Sequence, residues 1–370
     1  INQQTRQQPA IIQQWRFKKT SSTNAETALP SLICATFKQR DHEEGIYMCT
    51  GITFNSANGS MYFGRNLDWN SDFGERIIVT PKNFCFPSPF EKPAQSKHAI
   101  IGMGIQYEGT PLYFDCGNDA GLAVAGLNFP GYAQYEEAPI EGKKNIAAYE
   151  FPYWVCANHS TVAEVLSELQ DVAIIAKPVS KTLGVSLLHW MIADKTQSIV
   201  IEYMADGMHI HQNTANTLTN QPAFDWHLEN LRTYITANGN YPETAHWGKA
   251  SLEPFGAGAG MRGIPGDSYS PSRFVRAAFY NAHYPNKETE DENIIRLFRT
   301  LGGVSMVEGS AQMADGTYEI TIFTSCFSAE TGKYYFNTHD NPSIRYASLK
   351  AFEDADPGKV IEPNIELWKS

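Results

Sequence analysis

Met48 is the first methionine of the chain, and Cys49 and Thr50 follow it directly. Methionine aminopeptidase removes an initiator methionine when the next residue is small. A chain started at Met48 would therefore carry Cys49 with a free α-amino group. The reference pKa of such an amine is about 8 and that of a thiol about 8.5, so both titrate near working pH. One residue could then supply a thiolate nucleophile and the base that takes its proton, the equipment for acyl transfer. An inert buried cysteine is the simpler reading of any single thiol, so Cys49 needs support from its surroundings.

Other groups carry less chemistry. Gly256 to Gly266 is glycine-rich, but without the Gly-Lys-Ser/Thr of a phosphate loop it reads as a flexible loop. His209 and His211 can share a strand face, yet no third ligand has metal-site spacing, so no metal and no cofactor is expected. The six cysteines, Cys34, Cys49, Cys85, Cys116, Cys156 and Cys326, are scattered without a CxxC pair. In a chain of 370 residues they point to a reducing cytoplasm rather than a disulfide framework. The acidic run Glu288 to Glu292 reads as the solvated start of a helix.

Strands open the segment that begins at Cys49. Thr50–Asn55 and Ser60–Asn66 alternate, with Ala57-Asn58-Gly59 as the hairpin turn between them. Further strands are predicted at Ile77–Thr80, Ala99–Ile105, Leu112–Cys116, Leu122–Leu127, Ser186–Ala193, Ser198–Met204, Tyr318–Cys326 and Lys333–Thr338. Helices are predicted over Ala147–Asn158, from Thr161 with Glu164 completing a capping box, and over Asp225–Tyr234, Pro271–Asn281 and Asp291–Leu301. Ser270 reads as the N-cap of the fourth, with Pro271 at its first position. Strands at both ends with helices between them predict two sheets covered by helices.

Residues 1–47 are Gln-rich and lack the apolar core of a signal peptide. The purine-rich codons of Glu43-Glu44-Gly45, just ahead of Met48, resemble a ribosome-binding site read as protein. Residues 1–47 are therefore expected to be untranslated leader read as protein, with synthesis starting at the initiator Met48, or a removed propeptide; either way 1–48 precede the mature chain, and 49–370 form a single catalytic domain. Apolar residues form 42% of the chain and no run is long enough to cross a bilayer, which points to a soluble globular protein. A net charge of −11 argues against nucleic acid and anionic membranes as partners.

The surroundings of Cys49 carry the decisive signal. Met48-Cys49-Thr50-Gly51-Ile52-Thr53-Phe54, then Tyr62-Phe63-Gly64-Arg65-Asn66-Leu67-Asp68, resemble the choloylglycine hydrolase family. The resemblance runs on through Gly126-Leu127-Asn128-Phe129-Pro130-Gly131, Leu188-His189-Trp190, Leu218-Thr219-Asn220-Gln221-Pro222, Pro265-Gly266-Asp267, Ser272-Arg273-Phe274, Thr324-Ser325-Cys326 and Tyr334-Tyr335-Phe336-Asn337-Thr338. It spans almost all of 49–370 and none of 1–47.

That family belongs to the N-terminal nucleophile hydrolases and contains bile salt hydrolases and penicillin V acylases. The resemblance implies an α+β fold, a four-layer αββα sandwich, and hydrolysis of a linear amide. It makes Cys49 the nucleophile and its amine the base, with Arg65 favouring thiolate and Asp68 accepting hydrogen bonds from the amine. Asn220 and the backbone N–H of Asn128 would form the oxyanion hole, and Arg273 would stabilise the charged site from the far side. Leu67, Tyr107 and Phe129 would line the substrate pocket, although periodicity alone could equally place them in the core. Read singly, Arg65 and Asp68 could be a surface ion pair, Asn128 and Asn220 turn residues, and Arg273 a first-turn charge. The resemblance also implies a homotetramer, with conjugated bile salts as substrates. Asn128 tilts the choice toward that branch, since some penicillin acylases in the family have Tyr there. A penicillin V acylase is the alternative, and a non-catalytic binding protein another if the extension stays attached.

Overall fold

A computed structural model describes residues 48–180 and 183–369. The leader reading of 1–47 falls outside these residues. In chain order the strands are β1 Cys49–Asn55, β2 Met61–Trp69, β3 Arg76–Thr80, β4 Ile100–Tyr107, β5 Thr110–Asn118, β6 Ala123–Asn128, β7 Lys144–Ala147, β8 Val172–Ile175, β9 Leu188–Ala193, β10 Ser198–Met204, β11 Gly207–Gln212, β12 Thr217–Leu218, β13 Ala245–Trp247, β14 Ala250–Leu252, β15 Ile320–Ser328, β16 Lys333–Thr338, β17 Asn341–Ser348 and β18 Glu366–Leu367. The helices are α1 Phe151–Asn158, α2 Val162–Leu169, α3 Phe224–Leu231, α4 Ser270–His283 and α5 Glu290–Gly302.

Two antiparallel sheets of seven strands carry the fold. The first has the order β12-β1-β2-β15-β16-β17-β18, the second β11-β10-β9-β6-β5-β4-β3. Side chains alternate across a strand, so each sheet offers one face to the other sheet and one to helices. Between the sheets, Cys49, Phe63 and Leu67 of the first meet Ala123, Ala125, Leu127, Met191 and Val200 of the second. On the far side of the second sheet, Ile100, Val124, Ile192 and Ile201 pack on Phe151, Val155, Val165 and Leu169 of α1 and α2. On the far side of the first, Ile52, Tyr62, Cys326 and Tyr335 pack on Ala277, Ile294, Leu297 and Leu301 of α4 and α5. The three apolar layers make a four-layer αββα sandwich, as the resemblance implies. The sheets approach closely where Phe327 crosses Gly117: a Cβ at Gly117 would lie 2.4 Å from that ring.

Local reasons account for the elements around the site. The β1–β2 hairpin turns at Gly59, whose φ of +87° suits glycine, and its register sets Cys49 opposite Leu67 and Gly51 opposite Arg65. The acidic run does open a helix: Thr289 and Glu292 form a capping box at the start of α5.

Four local expectations need correction. Ser270 is the first residue of α4 rather than its cap, which is Tyr269. Its hydroxyl is taken by the chain ahead of the helix, accepting from Asn220 N–H at 3.0 Å and pairing with Thr219 Oγ1. Thr161 caps α2, but Glu164 reaches back to Ser160 N–H instead of closing the box on Thr161. Ala147 ends β7, and α1 starts only at Phe151. Eight strands unforeseen in the sequence, β7, β8, β11–β14, β17 and β18, are short, exposed or polar on much of their length. All described residues belong to one compact unit. No helix among them is long and apolar enough to cross a membrane.

Candidate active site

Cys49 begins β1 and is buried. Arg65 stands two residues before the strand partner of Cys49, on the same face of β2, opposite the bare Cα of Gly51. Its guanidinium runs along that gap. It donates to Cys49 Sγ through Nη2, to Gly126 O at 3.1 Å through Nη1 and to Asn66 O at 3.2 Å through Nε. Behind it Asp115 supplies a negative charge, held by Ser325 Oγ at 2.8 Å and Tyr334 OH at 2.5 Å.

The nitrogen side of Cys49 faces a second cluster. Cys49 N–H donates to Asn220 Oδ1 at 2.8 Å, and Asn220 Nδ2 donates to Asn128 O at 2.7 Å. Arg273, fully buried in the first turns of α4, donates to Asn220 Oδ1 at 2.7 Å, to Thr50 Oγ1 at 2.6 Å and to the carbonyl oxygen of Cys49. Its Nη1 lies 4.0 Å from Asp68 Oδ2. Asp68 Oδ1 accepts from Thr321 Oγ1, while Oδ2, equally buried, has no hydrogen-bond partner among the described residues. Next to it, Glu319 Oε1 accepts from Met48 N–H.

Arg65, Asp68, Asn128, Asn220 and Arg273 thus converge on Cys49 from three strands or strand ends and one helix. Arg273 lies 224 positions from Cys49 in sequence, and all of these residues but the half-buried Asn128 are buried. The readings of Arg65 and Asp68 as a surface pair, and of Arg273 as an exposed charge, fail because all three are buried.

Two details differ from the expected roles. Asp68 takes no hydrogen bond from the Cys49 nitrogen: with Met48 attached that nitrogen carries one proton, already given to Asn220. The Cys49 thiol is raised above its ordinary value, because burial outweighs the pull of Arg65 and of the backbone N–H groups of Asn128 and Asp68. Burial also pushes Asp68 up to about 6 against the opposing charge of Arg273. A positive charge on a freed Cys49 nitrogen would favour the ionised form of both groups.

The three candidate lining residues divide. Leu67 is buried directly opposite Cys49. Phe129 is buried where β6 ends and stacks on His189, ring centres 4.2 Å apart. Tyr107 is not brought into the group; it closes the β4–β5 hairpin opposite Thr110. His209 and His211 do share a face of β11, their rings 6.2 Å apart. Sequence reasoning missed Thr50, Asp115, Ser270, Glu319, Thr321 and Ser325, since each acts by contact with a residue far away in the chain.

A buried thiol flanked by a guanidinium, with its own backbone nitrogen on an amide side chain, at the head of an αββα sandwich, defines a hydrolase of the N-terminal nucleophile type. Residues 49–357 match the description of linear amide C-N hydrolases, choloylglycine hydrolase family, and the chain belongs to that family. It is therefore an amidase acting on linear amides. A bile salt hydrolase/transferase of Bifidobacterium longum is 50% identical over 315 residues, 85% of this chain and 99% of the relative. A crystal structure of a variant conjugated bile acid hydrolase from Clostridium perfringens superposes with a TM-score of 0.80 at 36% identity, covering 87% of this chain and 99% of that one. The penicillin V acylase from Agrobacterium tumefaciens shares the fold, with a TM-score of 0.67 at 21% identity over 84% and 90% of the two chains.

Proposed function

We propose that the chain hydrolyses the amide of glycine- or taurine-conjugated bile salts, with Cys49 as nucleophile once Met48 and everything before it are gone. The observation that carries this reading is the pairing at Cys49: its sulfur meets Arg65 and its nitrogen meets Asn220 Oδ1. One residue then supplies thiol and amine to the same cluster.

The freed amine takes the thiol proton, and the thiolate attacks the amide carbonyl. The developing oxyanion replaces Asn128 O as the partner of Asn220 Nδ2 and takes the N–H of Asn128 as its second donor. Asp68 Oδ2, buried and without a hydrogen-bond partner among the described residues, accepts a hydrogen bond from the ammonium. The ammonium gives a proton to the leaving glycine or taurine nitrogen, and water cleaves the thioester. Arg273 holds Asn220 and the start of β1 in place throughout. Leu67 and Phe129 offer apolar walls to a steroid acid; Tyr107 would contribute only from the rim.

The exposed side chains Tyr241, Trp247, Phe255 and Tyr269 lie on the segment that carries β13 and β14. Exposed aromatic side chains of this kind favour subunit contact, and the assembly we propose is a homotetramer. A net charge of −11 argues against nucleic acid as a partner and supports a small-molecule substrate.

Rates on glycocholate, taurocholate and penicillin V, measured side by side on one preparation, test the reading. Either bile salt should be turned over much faster than penicillin V. A preference for penicillin V would reassign the substrate and leave the amidase chemistry standing.

A further inference from the structure

The two arms of the oxyanion hole, Asn220 and the backbone of Asn128, lie on different strand ends, and something must fix their separation. Nε2 of His189 lies 2.9 Å from Thr219 O, the carbonyl one residue before Asn220. Its Nδ1 lies 3.1 Å from Glu202 Oε1. Its flat face carries Phe129, the residue after Asn128, with the ring planes 8° apart. The strand pairing adds a backbone link, since Asn128 sits opposite Leu188, next to His189.

Glu202 anchors this ring. Burial alone would raise its carboxyl, but the hydrogen bonds of His189 and His211 hold it down to about 2. The backbone N–H of Phe224, at 3.0 and 3.2 Å, adds to that hold. A backbone carbonyl only accepts, so Nε2 of the ring donates to Thr219 O while Glu202 holds the Nδ1 edge. His189 and Glu202 are both fully buried, which removes water as a competitor for either bond. The neighbouring groups complete the clamp on the Asn220 side: His227 Nε2 meets Asn220 O at 2.9 Å, and Asn220 N–H donates to Ser270 Oγ.

We infer that His189 is a positioning residue of the amidase site: one ring, oriented by Glu202, sets the distance between the two oxyanion donors by holding Thr219 O at one edge and Phe129 on its face. The inference rests on the functional reading above for the role of Asn220 and Asn128. His189 touches no reacting atom. It acts because a donor displaced by about 1 Å costs on the order of 10²-fold in rate.

His189→Asn and His189→Gln separate the two edges of the ring. The amide nitrogen of Gln falls near Nε2 and can still donate to Thr219 O; that of Asn falls near Nδ1 and keeps only Glu202. The Asn variant should lose on the order of 10²-fold in kcat with KM within about threefold, and Gln should recover roughly tenfold of that loss. Alkylation of Cys49 by iodoacetamide should stay within about twofold of wild type, since Arg65, the charge that faces the thiol, is untouched. In an Asn220→Ala background His189→Asn should cost less than about fivefold, because the arm it positions is already gone. Additive losses, or equal losses for Asn and Gln, overturn the inference. Should His189→Asn not fold by near-UV circular dichroism, Glu202→Gln takes its place in the same cycle, with a kcat loss of about tenfold expected and an unchanged kcat overturning it. The cycle is run on whichever amide the wild type hydrolyses. Failure on every bile salt then counts against the substrate, an additive cycle against His189, and a protein inert toward all amides against both.

Discussion

Cys49 and Cys326 occupy the same sheet, are both buried, and have opposite prospects. Cys326 of β15 looks outward into the layer of α5, packed among Tyr335, Leu297 and Leu301. Burial pushes its thiol well above the ordinary range, and the charge of Glu290 pushes the same way. Cys49 of β1 looks inward, between the sheets. Burial raises it too, yet Arg65 and two backbone N–H groups oppose the rise, and its nitrogen has an acceptor waiting. Burial makes a thiol inert; what makes one usable is a positive charge and fixed donors on the face it turns to.

The comparison breaks most visibly by substitution. Cys49→Ser should lower kcat by on the order of 10⁴-fold or more while the fold persists, a hydroxyl being a far poorer nucleophile than a thiolate. Cys326→Ser should keep its turnover and lose stability instead, by about 1–3 kcal/mol for a buried hydroxyl without a partner. Activity assays and urea midpoints on both variants decide it; a dead Cys326→Ser that still folds would reverse the assignment. Asn220→Ala comes next, with a loss on the order of 10²–10³-fold that falls on kcat, since an oxyanion donor acts in the transition state. A rise in KM alone would make Asn220 a binding group. Asn128→Tyr should narrow the space beside the carbonyl and move the ratio of kcat/KM toward penicillin V by roughly tenfold, with Cys49 still alkylated.

The smallest effect concerns the charge behind Arg65. Burial raises Asp115 from 3.8 to about 6. Its folded pKa lies above the unfolded one, so the stability it contributes is present below about pH 4 and lost as pH rises through about 6. Asp115→Asn should flatten the fall in urea midpoint between pH 4 and pH 7; an unchanged slope would mean that this carboxyl stays ionised in the fold.

Alternation and turn residues made the central strands legible, because each buries a regular apolar face: Cys49–Asn55, Ala123–Asn128 and Ser198–Met204 are buried over nearly their whole length. β11 and β17 escaped because Gly207–Gln212 and Asn341–Ser348, Ala347 apart, are half-buried or exposed and show no clean alternation. The identities at the site were legible through the ordered family motifs, and the structure brings Cys49, Arg65, Asp68, Asn128, Asn220 and Arg273 into one cluster. Tyr107 was not separable from the others, since an aromatic at a strand end looks alike near a pocket or at a turn. Glu202 and His189 read as ordinary strand residues. Only the pairing of β9 with β6 and β10 brings them behind the site.

The central claim is that Cys49, with its own amine free, carries the acyl group. Active protein mixed with a conjugated bile salt, quenched in acid within the first turnover, digested and weighed by mass spectrometry tests it most directly. The added acyl mass should sit on a peptide whose first residue is Cys49. An acyl group on any other residue, or on a Cys49 peptide that still begins at or before Met48, would contradict it.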